Sequence, residues 1–369
     1  MESSSRRAFL KGTAASLLLF HSPWALAKKS ARSPKVVWVV LRGALDGMHT
    51  VIPSFDPMLA THRPSLSKAA KGSTLQLEQG YLLHSALPNL HQWYKNKQLT
   101  TVVAVGTGYG SRSHFDGQDY LEWGGENKES GWLARALEMQ HSSAIAVAQS
   151  TPLSLQGTEK VTSWYPSRLK GSSEDTYRSI LSLYDADPAL QTAFKQGIEL
   201  KMTTTMEGMG KQSGQFVSLA QSCGRLLKGS EGADCGMLEL GGWDTHNNQE
   251  PRLKRQFAQL DKGLVALKEE LGEEWDDTLV IIATEFGRTV RQNGTQGTDH
   301  GTASVLLFAG GRLPQGGKVL GEWPGLKENQ LYQGRDLKPT SNTFDWISQH
   351  LAYHWDTNVN TLNRAVRGA

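Results

Sequence analysis

The sequence predicts an α/β fold, a mostly parallel central sheet with helices on both faces. Three observations carry that expectation. Short, continuous, β-branched apolar runs recur along the chain, and continuity rather than alternation marks strands buried on both faces. Helical patterns separate these runs, and strands alternating with helices favour parallel neighbours joined by crossovers. With 369 residues, 38% hydrophobic and 20% charged, the chain can bury a sizeable core and has none of the bias of disordered, collagenous or membrane-bundle proteins.

The expected strands run from Val36 to Leu41, Thr101 to Val105, Met237 to Leu240, Thr278 to Thr284 and Ser304 to Ala309. The clearest helix carries Leu253, Phe257, Leu260, Leu264, Leu267 and Leu271 on one face and Lys254, Arg255, Lys262, Lys268 and Glu269 on the other, with Pro251 suited to its first turn. Residues 28–369 read as one domain. Within it, 151–232 is rich in Ser, Thr, Lys and Gln, shows helical stretches but no strong strand, and is expected to be an inserted helical cap.

Residues 1–27 read as an address. A charged stretch with Arg6, Arg7 and Lys11 precedes an apolar run and then Ala25-Leu26-Ala27, the pattern of a cleaved export signal. His21, Ser22 and Pro23 interrupt the run, which falls short of the roughly 20 residues of a spanning helix, so no permanent membrane anchor is expected. The string Ser5-Arg6-Arg7-Ala8-Phe9-Leu10-Lys11 resembles the twin-arginine signal and implies a folded cargo of the twin-arginine export machinery, periplasmic or secreted. Of 39 Lys and Arg against 36 Asp and Glu, these residues hold three and one, which leaves 36 against 35. Such balance gives no electrostatic ground for a nucleic-acid partner.

An oxidising compartment would let Cys223 and Cys235, the two cysteines of the chain, form a disulfide. Neither begins the C-x-P-x-R pattern that sulfatases convert to formylglycine, so that chemistry is excluded.

Polar residues collect after the strands. The first strand leads into Arg42 to His49, with Asp46; the second into Gly106 to His114, with Arg112 and Ser113; the third into Gly241 to His246, with Asp244; the fourth into Glu285 to Thr289, with Arg288. Thr298 to Gly301, with Asp299 and His300, directly precede the fifth. In an open parallel sheet the carboxyl ends share one edge, where ligands bind. Asp46, Asp244, His246, Glu285 and His300 are therefore candidate metal ligands, because so many carboxylates gathered out of water need a cation. The mixture of imidazole and carboxylate suits a divalent metal such as Zn²⁺ or Mn²⁺. Taken singly, Asp46-Gly47 also suits a turn, Asp244 to His246 a capped loop, and Glu285 an ion pair with Arg288.

Ser113 is the candidate nucleophile, and it also suits a helix N-cap. His114 beside it and Arg288 complete the catalytic candidates. The chain has no G-x-S-x-G, no G-x-x-x-x-G-K-[ST] and no G-x-G-x-x-G opening a helix after the first strand, so an α/β-hydrolase elbow and nucleotide cofactors are unsupported.

The strings Leu41 to Gly47, Ser113 to Asp119, Gly242 to His246, Thr284 to Thr289 and Gly297 to Gly301, behind a twin-arginine signal, together resemble a bacterial family catalogued as domain of unknown function 1501. That family in turn looks like a distant branch of the alkaline phosphatase and sulfatase-like superfamily. The resemblance implies an alkaline-phosphatase/sulfatase-like fold and one or two divalent metals at the strand ends. It also implies hydrolysis of phosphate or sulfate esters by in-line displacement, with Arg288 or Arg112 clamping the anion. By the same comparison Asp46, Asp244, His246, Glu285 and His300 resemble metal ligands, and Ser113 the nucleophile. The superfamily's Asp-x-x-x-His is Asp244-Thr245-His246 here, and its late Asp-His pair is Glu285-Phe286. One imidazole is thus missing from the pattern, and His114 or His49 could take its place. The alternative is a catalytically degenerate protein that uses the same cleft to bind an envelope glycan or a partner.

Overall fold

The computed structural model describes residues 34–369 apart from 71, 73–74, 167–179, 185–186, 189, 193, 196–214 and 230. The expected export signal and much of the expected cap lie outside the described residues. The strands are β1 (Lys35–Leu41), β2 (Val51–Pro53), β3 (Leu75–Gln76), β4 (Tyr81–Leu83), β5 (Leu99–Gly106) and β6 (Ala144–Ala146). They continue with β7 (Val161–Ser163), β8 (Cys235–Leu240), β9 (Thr278–Ala283), β10 (Ser304–Gly310), β11 (Val319–Leu320) and β12 (Ser341–Asn342). The principal helices are α1 (Pro88–Lys95), α2 (His114–Trp123), α3 (Trp132–Met139), α4 (Gln215–Leu227), α5 (Gln249–Leu271), α6 (Thr343–His354) and α7 (Val359–Arg367).

The large sheet runs β11-β5-β10-β9-β1-β8-β6-β7, with β12 also paired to β5, while β2, β4 and β3 form a small separate sheet. β1 lies between β8 and β9, parallel to both, and all its residues are buried. Its alternate side chains explain its unbroken apolar run. Val37, Val39 and Leu41 join the core under α4 and α5, with Phe216, Leu253, Phe257 and Leu264. Val36, Trp38 and Val40 join the opposite core under α3, α6 and α7, with Trp132, Phe344, Leu351 and Leu362. The expected apolar stripe of α5, from Leu253 to Leu271, is buried throughout.

One strand departs from the expected direction. β10 is antiparallel to both β9 and β5. A parallel neighbour requires a crossover that carries the chain back along the sheet, whereas 284–303 contains no helix and stays at the carboxyl edge of β9. β10 must therefore begin at that edge and run the other way.

The described parts of 151–232 are integrated with the main fold. β7 extends the sheet beside β6, and α4 buries Phe216, Leu219, Ala220, Cys223, Leu226 and Leu227 against it. A three-residue strand is too short to leave a periodic signal, which is why this region reads as strandless.

The expected disulfide is absent, and both cysteines are free and buried. Cys223 belongs to the core on the α4 side and Cys235 to the core on the opposite face of the sheet. The residue of β8 that meets Cys223 is Gly236, where an added Cβ would come within 2.5 Å of its sulfur. Strand alternation thus points Cys235 away, and Gly236 lets α4 approach closely. Among the described residues, no helix is long and apolar enough to cross a membrane.

Buried histidines make this fold sensitive to acid. His84, His350 and His354 are each pushed down from 6.5 to about 4, burial being the main cause. Between those values the unfolded chain binds protons that the native chain does not, so stability falls as pH drops from about 6.5 towards 4. His350 stacks on Phe308 with ring centroids 3.6 Å apart and nearly parallel, so phenylalanine can replace it. Thermal melts should show His350→Phe losing less stability than the parent chain over this pH range; equal losses would contradict the assignment.

Candidate metal centre

The antiparallel β10 determines which residues meet. In an all-parallel sheet a segment preceding a strand would lie at the edge opposite the carboxyl ends. Because β10 starts at that edge, Thr298 to His300 arrive beside the loops that follow β1, β8 and β9. The loops after β1 and β8 touch at Gly43, whose φ is +118° and where a Cβ would come within 2.6 Å of the Asp244 nitrogen. Only glycine permits that contact.

Asp244 is the centre of the cluster. Its Oδ1 lies 3.6 Å from His114 Nε2, 3.0 Å from His246 Nε2 and 3.4 Å from His300 Nε2. The His246 and His300 Nε2 atoms are 3.0 Å apart. Ligand atoms of His114, Asp244 and His300 all fall within 4.8 Å of one another, while His246, outside that trio, meets Asp244 and His300.

The second nitrogen of each ring has its own acceptor. His114 Nδ1 donates to Glu285 Oε1 at 2.8 Å, His246 Nδ1 to Asp299 Oδ1 at 2.9 Å, and His300 Nδ1 to the carbonyl of Arg112 at 2.9 Å. A carbonyl can only accept, and an ionised carboxylate likewise, so the protons of the neutral rings sit on Nδ1. Three Nε2 lone pairs therefore face a carboxylate oxygen. Among the described residues His114 Nε2 is buried without a hydrogen-bond partner, and two Nε2 lone pairs facing one another repel unless a proton or a cation lies between them. Bonds of about 2.0 Å to a tetrahedral Zn²⁺ would place donors about 3.3 Å apart, which the separations around Asp244 bracket. The donor set fits a divalent metal.

The surrounding charges keep the carboxylates ionised and separate two of the imidazoles, drawing His114 towards its protonated form and His300 away from it. Burial alone would raise Asp244, but the hydrogen bond and charge of Arg288 outweigh it and hold the carboxyl below its usual range. Glu285 is buried, yet bonds from His114, Gln118 and Thr284 lower it too. Asp299 is lowered by its bond to His246. His114 is raised, chiefly by Glu285, whereas His300 is lowered, first by burial and then by the neighbouring His114 and Arg288 charges.

The structure gives several candidate residues different surroundings from those expected. Asp46 is fully buried, its oxygens 2.9 and 2.7 Å from Arg63 Nη1 and its Oδ2 2.6 Å from Gln249 Nε2. It anchors loops and does not join the Asp244 cluster, because both oxygens are already engaged. Glu285 stands behind His114, its Oε1 also taking Gly43 N at 2.9 Å and Gln118 Nε2 at 3.1 Å. Arg288 is fully buried and gives Nε, Nη1 and Nη2 to Thr298 and Asp244, so it positions Asp244 and is closed off from an anion in the solvent. Arg112 is likewise engaged, with Asp336 and Gln333. Ser113 is the N-cap of α2 but its side chain makes no capping bond.

Sequence reasoning missed Arg63, Gln249, Gln118 and Asn293, the last donating its Nδ2 to the His246 carbonyl at 2.8 Å and to Asp299 Oδ1 at 3.2 Å. Gln249 is fully buried and accepts from Thr245 at 3.0 Å and Thr298 at 2.6 Å while donating to Asp46. One amide thus binds the loop of Asp244 and His246 to that of His300. Nothing local to Gln249 signals this role, since all but one of its partners are remote in sequence.

A second group, His49, His84 and Glu250, also brings ligand atoms together, but fits a metal poorly. Ala86 N donates to His84 Nδ1 at 3.1 Å, which puts the proton of the neutral ring on Nε2, the atom towards Glu250. His49 Nε2 meets Glu250 Oε2 at 2.6 Å. His49 and Glu250 thus satisfy each other by hydrogen bonding, and His84 Nε2 stands 3.9 Å from the other Glu250 oxygen.

Solved structures similar to this chain share little sequence with it. The PH0037 protein from Pyrococcus horikoshii is 9% identical with a TM-score of 0.44, over 88% of this chain and 98% of that one. The C-terminal periplasmic domain of EcEptC from Escherichia coli, in complex with Zn, is 9% identical with a TM-score of 0.38, over 76% and 74%. A protein in the alkaline phosphatase superfamily from Vibrio parahaemolyticus is 12% identical with a TM-score of 0.35, over 78% and 62%. No curated protein matches the chain. Residues 94–355 match the family model described as protein of unknown function (DUF1501), and the chain belongs to that family.

Proposed function

We propose that this protein is an exported, metal-dependent hydrolase of phosphate or sulfate esters. The observation that carries the reading is the convergence of three Nε2 lone pairs on Asp244, each ring fixed through Nδ1. His114, His246, His300 and Asp244 would hold the ion, Zn²⁺ or Mn²⁺ by donor type. The bound metal supplies Lewis-acid polarisation of an ester oxygen and neutralises developing charge. Glu285, Asp299 and the Arg112 carbonyl keep the imidazoles oriented, as acceptors behind metal-bound histidines do. Arg288 keeps Asp244 ionised.

The site is reachable. The side chains of Asp244 and His246 are each 43% exposed, which suits a centre that admits substrate better than one serving only to brace the fold. Ser113, adjacent to His114, is our candidate nucleophile, since its hydroxyl caps nothing. It lies at the start of the ten-residue α2, where free backbone N–H groups and the helix dipole favour an anionic group. A second reading keeps the metal but drops the reaction. Four protein donors can close a tetrahedral shell, and such a centre would serve binding alone. Arg288 already holds Asp244 Oδ1 at 2.7 Å, which would make Asp244 a weaker donor than the imidazoles and favours the hydrolase.

Elemental mass spectrometry of the purified protein should find about one equivalent of transition metal, lost in His246→Ala and in Asp244→Ala. Aryl phosphates and aryl sulfates separate the two readings, because turnover should vanish with the metal and in Ser113→Ala. Metal without turnover of either ester class supports the binding protein; no metal uptake from added Zn²⁺ or Mn²⁺ overturns both. Glu285→Gln should weaken metal retention about 10–100-fold with the fold intact, the usual cost of losing an acceptor behind a ligating histidine. Unchanged retention in that variant would contradict the assigned role of Glu285.

A further inference from the structure

Of the three imidazoles around Asp244, His300 alone has a backbone acceptor. Its Nδ1 donates to the Arg112 carbonyl at 2.9 Å, and a carbonyl in a loop is only as fixed as the loop. Arg112 has φ +61°, in the left-handed region, where a non-glycine residue remains only if its surroundings hold it.

What holds it is Asp336. Arg112 Nε donates to Asp336 Oδ2 at 2.8 Å, and Nη2 donates to Gln333 Oε1 at 2.8 Å. The same Asp336 oxygen accepts from Thr302 Oγ1 at 2.7 Å, two residues beyond His300. A single carboxylate oxygen thus grips both the residue that supplies the acceptor and the segment that carries the ring. Asp336 is fully buried; its Oδ1 takes Arg335 Nη1 at 3.2 Å, and its backbone exchanges hydrogen bonds with Tyr332 at 2.8 and 3.0 Å. The carboxylate is therefore fixed in its turn.

We infer that Asp336 is a positioning residue for His300, acting through the backbone of Arg112 and through Thr302. The inference rests on the metal reading for its purpose, though not for its geometry. Asp336 touches none of the donor atoms around Asp244 in the described contacts. Its contribution is to keep the Arg112 carbonyl where it selects the Nδ1–H tautomer of His300 and leaves Nε2 free to bind a cation.

The test uses Asp336→Asn, Arg112→Gly and the double variant of the whole chain. Arg112→Gly removes the guanidinium but keeps a residue at ease with positive φ, so it folds even if the buried Asn does not. Nitrogen-15 NMR of the metal-free protein at fixed pH reads the His300 tautomer, and chelator competition reads Zn²⁺ affinity. The parent should show a single Nδ1–H tautomer. Each single variant should show a mixture and lose about 10–100-fold in Zn²⁺ affinity, and the double variant little more than either. An unmixed tautomer and affinity within about twofold of the parent in Arg112→Gly or in folded Asp336→Asn would overturn the inference. If the parent binds no Zn²⁺, the metal reading fails, and the tautomer measurement decides the positioning role by itself.

Discussion

Three imidazoles can offer the same nitrogen to a cation beside Asp244 only if each keeps its proton on the other nitrogen. Glu285, Asp299 and the Arg112 carbonyl accept the hydrogen bonds that hold those protons, and much of the architecture at the carboxyl edge of the sheet keeps these acceptors in place. Glu285 follows β9, Asp299 precedes β10, and Arg112 lies on the loop between β5 and α2. None is adjacent in sequence to the ring it serves; Asp299 neighbours His300 but serves His246. The centre is consequently a property of the sheet edge as a whole.

Beneath it lies a buried ionic anchor. Arg63 is almost fully buried and gives Asp46 both contacts of Nη1, while its remaining donors hold the carbonyls of Val290 and Thr289 at 2.8 and 2.6 Å. Gln249 joins Asp46 to the hydroxyls of Thr245 and Thr298. A charge buried this deeply is tolerated because its partners are complete, and removing one of them would leave the other uncompensated. The anchor connects the loop after β1 to both histidine-bearing loops without contributing a ligand atom.

Much of this was legible from residue order alone. β1, β5, β8, β9 and β10 are continuous apolar runs because both their faces are buried, and α5 shows its stripe because one face is. Strand-end reasoning gathered Asp244, His246, His300 and His114, which the fold does bring together, and the combined strings identified the family. The direction of β10 was not legible, since it follows from the route of 284–303. β6 and β7 were too short to show a pattern. Asp46 looked like a ligand because Arg63, seventeen residues on and between two short helices, gives no sign in the sequence that it turns back. Cys223 and Cys235 looked pairable because spacing carries no information about which face of β8 each would meet.

A metal centre here requires that His114, His246 and His300 offer free Nε2 atoms beside Asp244, while His49 and His84 do not. Titrating the metal-stripped protein with Zn²⁺ and following the histidine ring nitrogens by nitrogen-15 NMR tests that directly. The account predicts that about one equivalent moves the Nε2 signals of His114, His246 and His300 together, by analogy with structural and catalytic zinc sites, and leaves His49 and His84 in place. Zinc that shifts His49 and His84 first, or no ring at all, would contradict it.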